Sequence, residues 1–117
     1  MSKPNKQTQD VVSEAIGEAD DLGHVDAFVA TVGYDKQRKA YWVGAHVERW
    51  EPWYGTTIRR FVLYGGINTP RVTLGEGGRF SAKKLDAMAE AAAPHIATAR
   101  AECLAELARR KAAGETY

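Results

Sequence analysis

The spacing of apolar positions changes twice along the chain, and each change marks a different kind of element. Between residues 9 and 22, Val12, Ala15, Ile16, Ala19 and Leu22 recur at the i, i+3, i+4, i+7 interval of one helical face. This predicts an N-terminal helix stopped by Gly23. Gly17 in its interior, and Asp20 and Asp21 at the negative end of its dipole, oppose that helix. From His24 the grammar becomes that of strands. "HVDAFVATVGY" is rich in β-branched and aromatic residues, "DKQRK" is a polar turn, and "AYWVGAHVERW" is a second strand, so the two predict a hairpin. "EPWYG" interrupts, because proline cannot donate a hydrogen bond in a central strand. "TTIRRFVLY" is a third strand, "GGINTP" a turn and "RVTL" a short fourth strand. Ser81 is a good N-cap, and "AKKLDAMAEAAA" places Leu85, Met88, Ala89 and Ala92 on one side of a helix. Pro94 must break or kink it near Ala93; the second arm carries Ile96, Ala99, Cys103 and Leu107 on one stripe.

These elements predict an α+β fold: a four-stranded, mainly antiparallel sheet, with an N-terminal helix and a kinked C-terminal helix packed on one face. The expected organisation is a loose N-terminal tail over 1–8, one domain over 9–113 and a C-terminal tail over 114–117. Alternation within the second strand puts Tyr41, Val43, Ala45 and Val47 on a core side and Trp42, Gly44, His46, Glu48 and Trp50 on the other. The first strand is apolar on both sides, as expected of a strand covered on both faces or packed in a dimer. A sheet with helices on one side leaves its other side to water or a partner.

Composition narrows the class. A chain of 117 residues with 44% hydrophobic positions makes one ordinary globular domain. No apolar run approaches the ~20 residues needed to cross a bilayer. The N-terminal "MSKPNKQTQD" has no signal-peptide character, and the lone Cys103 permits no intrachain disulfide; the expectation is a cytoplasmic protein. The abundance of Ala, Gly and Arg suggests a GC-rich genome. Net charge is only +1, but its distribution is uneven. Six acids and no Lys or Arg lie between Asp10 and Asp26, whereas ten bases against three acids lie between Lys36 and Lys84. The basic block suggests an anionic partner, unless the two blocks cancel in the fold.

Candidate chemistry centres on "WEPWYGTTIRRF" from Trp50 to Phe61, which sets aromatic surface beside paired arginines. Bases of a single strand stack on aromatic side chains while Lys and Arg follow the phosphates. The expected surface comprises Trp42, His46, Arg49, Trp50, Trp53, Tyr54, Arg59 and Arg60, extended by Lys36, Arg38 and Lys39 of the first hairpin. Four strands followed by a helix, with the passage "RVTLGEGGRFSAKKLDAM", resemble the transcription cofactors whose curved sheet binds single strands. The resemblance is one of topology over about half the chain, and the N-terminal helix and long C-terminal arm depart from it. It implies binding of single-stranded nucleic acid. The same residues suit a second reading, a protein-interaction module such as a phage- or plasmid-type accessory protein gripping a host protein, or a homodimer. "LGEGGRFSAKK" enters a helix through glycines but matches neither the dinucleotide nor the P-loop pattern, since Phe80 stands where a glycine is needed. His24, His46 and His95 lack metal-ligand spacing, and Cys103 lies on an apolar stripe without an activating partner. His46 and Glu48 share a strand face and form a candidate hydrogen-bonded pair. The expectation is therefore a non-enzymatic binding protein with no cofactor, no metal and no membrane contact.

Overall fold

The computed structural model describes residues 7–64, 71–76 and 78–114. Five strands precede two helices: β1 (Thr8–Ile16), β2 (Val25–Asp35), β3 (Ala40–Trp53), β4 (Thr56–Tyr64), β5 (Arg71–Glu76), α1 (Ala82–Ala91) and α2 (Ala93–Ala112). One antiparallel sheet has the order β1-β2-β3-β4, and β5 also pairs with β3. β4 and β5 follow one another along a single edge of β3: His46 is opposite Tyr64 and Gly44 is opposite Arg71. The connection between them, read from sequence as the turn "GGINTP", lies outside the described residues.

The α+β class and the antiparallel sheet agree with the sequence expectation; the N-terminal helix does not. Residues 8–16 are a strand, so the sheet has five strands where four were expected. Val12 and Ile16 satisfy a helical repeat, but an interval of four residues satisfies a two-residue repeat equally. The positions that decide between them are Ala15, Ala19 and Leu22. A helix would bury these, and they are exposed, Leu22 by 72%. Instead Val12, Glu14 and Ile16 face the helices, with a bulge between Asp10 and Val12. The cause is tertiary: β2 is buried and leaves a row of backbone groups along its edge that must be paired. Gly17, at φ +88°, ends the strand. Of the expected tail over 1–8, Thr8 belongs to β1 and the Gln7 carbonyl accepts from Tyr34 N–H, while residues 1–6 lie outside the described residues.

β3 also differs from expectation at "EPWYG". It runs through Pro52 to Trp53, and Tyr54–Gly55 form a two-residue turn into β4. Trp53 and Thr56 flank that turn, so theirs is a hydrogen-bonded pair and Pro52↔Thr57 is not. The missing proline N–H therefore points to the other edge, beyond the end of β2, where Val25 pairs with Trp50. Proline is tolerated at such an edge.

Both helices pack on one face. Phe28, Ala30 and Val32 of β2, and Tyr41, Val43, Ala45 and Val47 of β3, form a core with Leu85, Ala92, Ile96 and Cys103. These four positions repeat at seven- and four-residue intervals, which keeps one stripe toward the sheet through both helices. Ser81 caps α1, its hydroxyl accepting from Lys84 N–H, and Ala92 ends α1 where α2 begins. The break falls at the position that Pro94 predicts: proline sits in the first turn of α2, where its missing N–H has no helical partner to lose. On the opposite face, Ala27 and Val29 are also buried. His46 and Glu48 stand directly across the strand pair and shield them, so β2 is covered on both sides as expected.

Candidate functional site

The open face of the sheet is organised around one carboxylate. Glu48 is 13% exposed and reaches three neighbours. His46 Nε2 lies 2.7 Å from its Oε2, Trp50 Nε1–H donates to Oε1 over 3.0 Å, and Arg59 Nε–H donates to the same oxygen over 2.5 Å. The network follows from strand geometry: residues 46, 48 and 50 alternate onto one face, and register sets Arg59 beside Trp50. Burial alone would raise the pKa of the Glu48 carboxyl. The hydrogen bonds from Arg59, His46 and Trp50 outweigh it and hold the group below its ordinary range. The Arg59 guanidinium lies 5.9 Å from the Trp50 ring centre, a cation–π distance. Phe61 is exposed and approaches the His46 ring at 6.0 Å.

Trp42 shares this face but is engaged differently. It lies flat over Gly33, its cross-strand partner: a Cβ at Gly33 would meet Trp42 Cζ2 at 2.3 Å. At the far end of the same ribbon, Trp53 and Tyr54 make an edge-to-face pair with ring centres 4.8 Å apart. They are 55% and 91% exposed, and Tyr54 holds φ at +43°. Leu22, itself exposed, follows on the connection that carries Gly23 to Pro52, whose Cγ would lie 3.2 Å from a Cβ at Gly23.

The remaining expected site residues lie elsewhere. Arg49 points to the helix side, with Asp26 and Asp20 carboxylates each at 3.9 Å. Arg60 also faces that side and donates to Glu51 at 3.0 Å. Lys36, Arg38 and Lys39 occupy the turn between β2 and β3, where Asp35 accepts from the backbone N–H of Gln37 and Arg38. That turn and the Tyr54–Gly55 turn are at opposite ends of the 14-residue β3, about 43 Å apart at the rise of a strand. The structure thus brings together His46, Trp50 and Arg59, sets Trp53 and Tyr54 at the hairpin tip, and separates the basic turn from both. Sequence reasoning paired His46 with Glu48 but missed that Trp50 and Arg59 join them. Reading Tyr54–Gly55 as a two-residue turn would have supplied the register.

Other chemistry is sparse. Cys103 is 1% exposed, and burial pushes its thiol up to about 11, with Glu102 adding to the shift. The glycine turn before α1 is tied to the sheet: Tyr34 Oη–H donates to the Gly78 carbonyl, and Tyr41 Oη accepts from Ser81 N–H. Among the described residues no group of three or more His, Cys, Asp or Glu could hold a metal ion, and no helix is long and apolar enough to cross a membrane. No protein-family model matches the chain, and no curated protein or solved structure matches it either, so function is read from the geometry of the sheet.

Proposed function

We propose that this chain is a non-enzymatic binding protein that grips a protein partner with the tip of the β3–β4 hairpin and the adjoining open face. The carrying observation is the Trp53–Tyr54 pair, two large rings more than half exposed on a tight turn. Aromatic side chains held outward at low entropic cost are the usual anchors of protein interfaces. Charge favours the same reading. Arg49, Arg59 and Arg60 each face a carboxylate of their own chain, so the hairpin offers little uncompensated positive charge. A homodimer through this patch is the self-associating form of the same reading.

A second reading, single-stranded nucleic acid or a nucleoprotein, is favoured by a different observation. Arg59, beside Trp50 on the open face, and Arg60, beside Glu51 on the other face of the same hairpin, keep side chains 48% and 66% exposed. A strand stacking on Trp50 would find the Arg59 guanidinium within reach, by exchange of its internal carboxylate, and one stacking on Trp53 would find that of Arg60 in the same way.

Tryptophan fluorescence separates the two. Titration with a mixed-sequence single-stranded oligonucleotide should leave the emission unchanged at micromolar protein if the partner is a protein. Saturable quenching that weakens steeply between low and moderate salt would establish the nucleic-acid reading. A photoreactive phenylalanine in place of Tyr54 should then crosslink to a protein, and Trp53→Ala should abolish the adduct without lowering Tm. Concentration-dependent sedimentation that Trp53→Ala removes would identify the partner as a second copy.

A further inference from the structure

A cleft of about 550 Å³ opens on the helix side of the sheet, within the usual size of small-ligand sites. Ile16 and the last half of α2, through Leu104, Leu107 and Ala108, supply its apolar wall. Asp26 and Arg49 form its sheet side, and Glu18, Asp20 and His24 of the β1–β2 connection form its rim. Trp53 and Tyr54 take no part in it.

Two properties fix what such a cleft fits. Its wall is apolar along a length of helix while its rim and floor are ionic, so its occupant needs an aliphatic body and a charged head. The sign of that head follows from the lining. Three carboxylates face two cations, Arg49 and Lys111, which leaves −1 with His24 neutral. Arg49 is already shared, with Asp20 and Asp26 each 3.9 Å away. The rim belongs to the stretch from Asp10 to Asp26 that carries six acids and no Lys or Arg. The C-terminal end of α2 closes the same side; its last turn carries Arg109, Arg110 and Lys111, of which the first two are paired with Glu106. Asp20 is held in place as an ion: backbone N–H groups of His24 and Leu22 donate to its Oδ1, and these bonds keep its carboxyl below the usual range.

We propose that the cleft is a binding site for an aliphatic cation, an ammonium or guanidinium on a short hydrocarbon chain. A free amine and a lysine or arginine side chain of a bound protein present the same chemistry: an apolar stem that packs on Leu104 and Leu107 and a head that meets the Asp20–Asp26 carboxylates.

The test is an amide NMR titration of the full chain with hexylammonium, and with hexanoate as the same tail carrying the opposite charge. Hexylammonium should give saturable shifts at Gly17, Asp20, His24, Leu104 and Leu107; hexanoate should not. Asp20→Asn keeps the Oδ1 acceptor that pins the turn and removes the charge. Asp20→Asn and Glu18→Gln should each weaken binding by up to about fivefold. Ala108→Arg, which adds a third cation to the lining and brings its charge to zero, should abolish it. The peptide acetyl-Leu-Lys-Leu-amide separates the sources: binding at least tenfold tighter than hexylammonium identifies a protein side chain, and equal or weaker binding identifies a free amine. Equal shifts from hexanoate, no saturation, or affinity unchanged in both charge-removing variants would overturn the proposal. None of these outcomes bears on the hairpin tip, which lies outside the cleft.

Discussion

Gly33 and Trp42 act as one unit, because the indole fills the space that a side chain at Gly33 would take. Aromatic cover over a strand glycine restores contacts that the glycine cannot make itself. Gly33→Ala should cost about 1–3 kcal/mol by forcing the ring aside, read as a fall in Tm of roughly 4 °C per kcal/mol. In a Trp42→Ala background the same change should cost much less, since the clash is gone. Glu48 is the second informative residue. Its charge-assisted bonds to Arg59 and Trp50 make Glu48→Gln a loss of about 1–3 kcal/mol at pH 7. Because the folded carboxyl titrates below its unfolded value, near 4.3, its contribution is complete above that value and disappears as pH falls through the folded one. The Tm difference between wild type and Glu48→Gln should therefore hold from neutrality to about pH 5 and close in stronger acid.

The β3–β4 hairpin shows how an element can trade stability for display. Two-residue turns favour Asn-Gly, with both central residues at positive φ. Here Tyr54 takes the first place at φ +43°, a conformation that costs a bulky residue on the order of 1 kcal/mol or more. Tyr54→Asn should raise Tm by a few degrees while removing half of the aromatic tip; loss of partner binding in the more stable variant would tie the strained turn to display. The same element explains what sequence could and could not reveal. β2 and the core side of β3 were legible because Tyr41, Val43, Ala45 and Val47 alternate without exception, and Ser81 and Pro94 punctuate the helices by local chemistry. β1 was not legible, because Val12 and Ile16 fit two periods and the deciding force is the unpaired edge of β2, which is not local. The site was partly legible for the same reason. His46, Glu48 and Trp50 share a strand, whereas Arg59 joins them only through a turn with an unusual residue at its tip.

At the scale of the whole molecule, the two charge blocks partly meet. Glu14 of β1 pairs with Arg100 of α2 at 2.6 Å, and Asp20 and Asp26 flank Arg49. The basic residues that seemed to form one footprint are spread over a body 47 Å long. Trp53→Ala should thus leave Tm within about 1 °C, since exposed side chains contribute little to folding, and should abolish partner capture measured by the crosslink from position 54. Neutralising Lys36, Arg38 and Lys39 at the opposite end should leave that capture intact.

β3 takes partners from both sides of its own position in the chain: residues 25–35 before it and residues 56–64 and 71–76 after it, with the helical cover beginning only at residue 82. On a ribosome, which releases the N-terminus first, the β2–β3 hairpin can close early. The side bearing Phe28, Val32, Tyr41, Val43 and Val47 then has nothing to lie against until residues 82–112 emerge. A nascent chain of this protein passes through an interval as a bare, half-oiled sheet, and its yield in cells should depend on how quickly the helical segment that follows the sheet is translated.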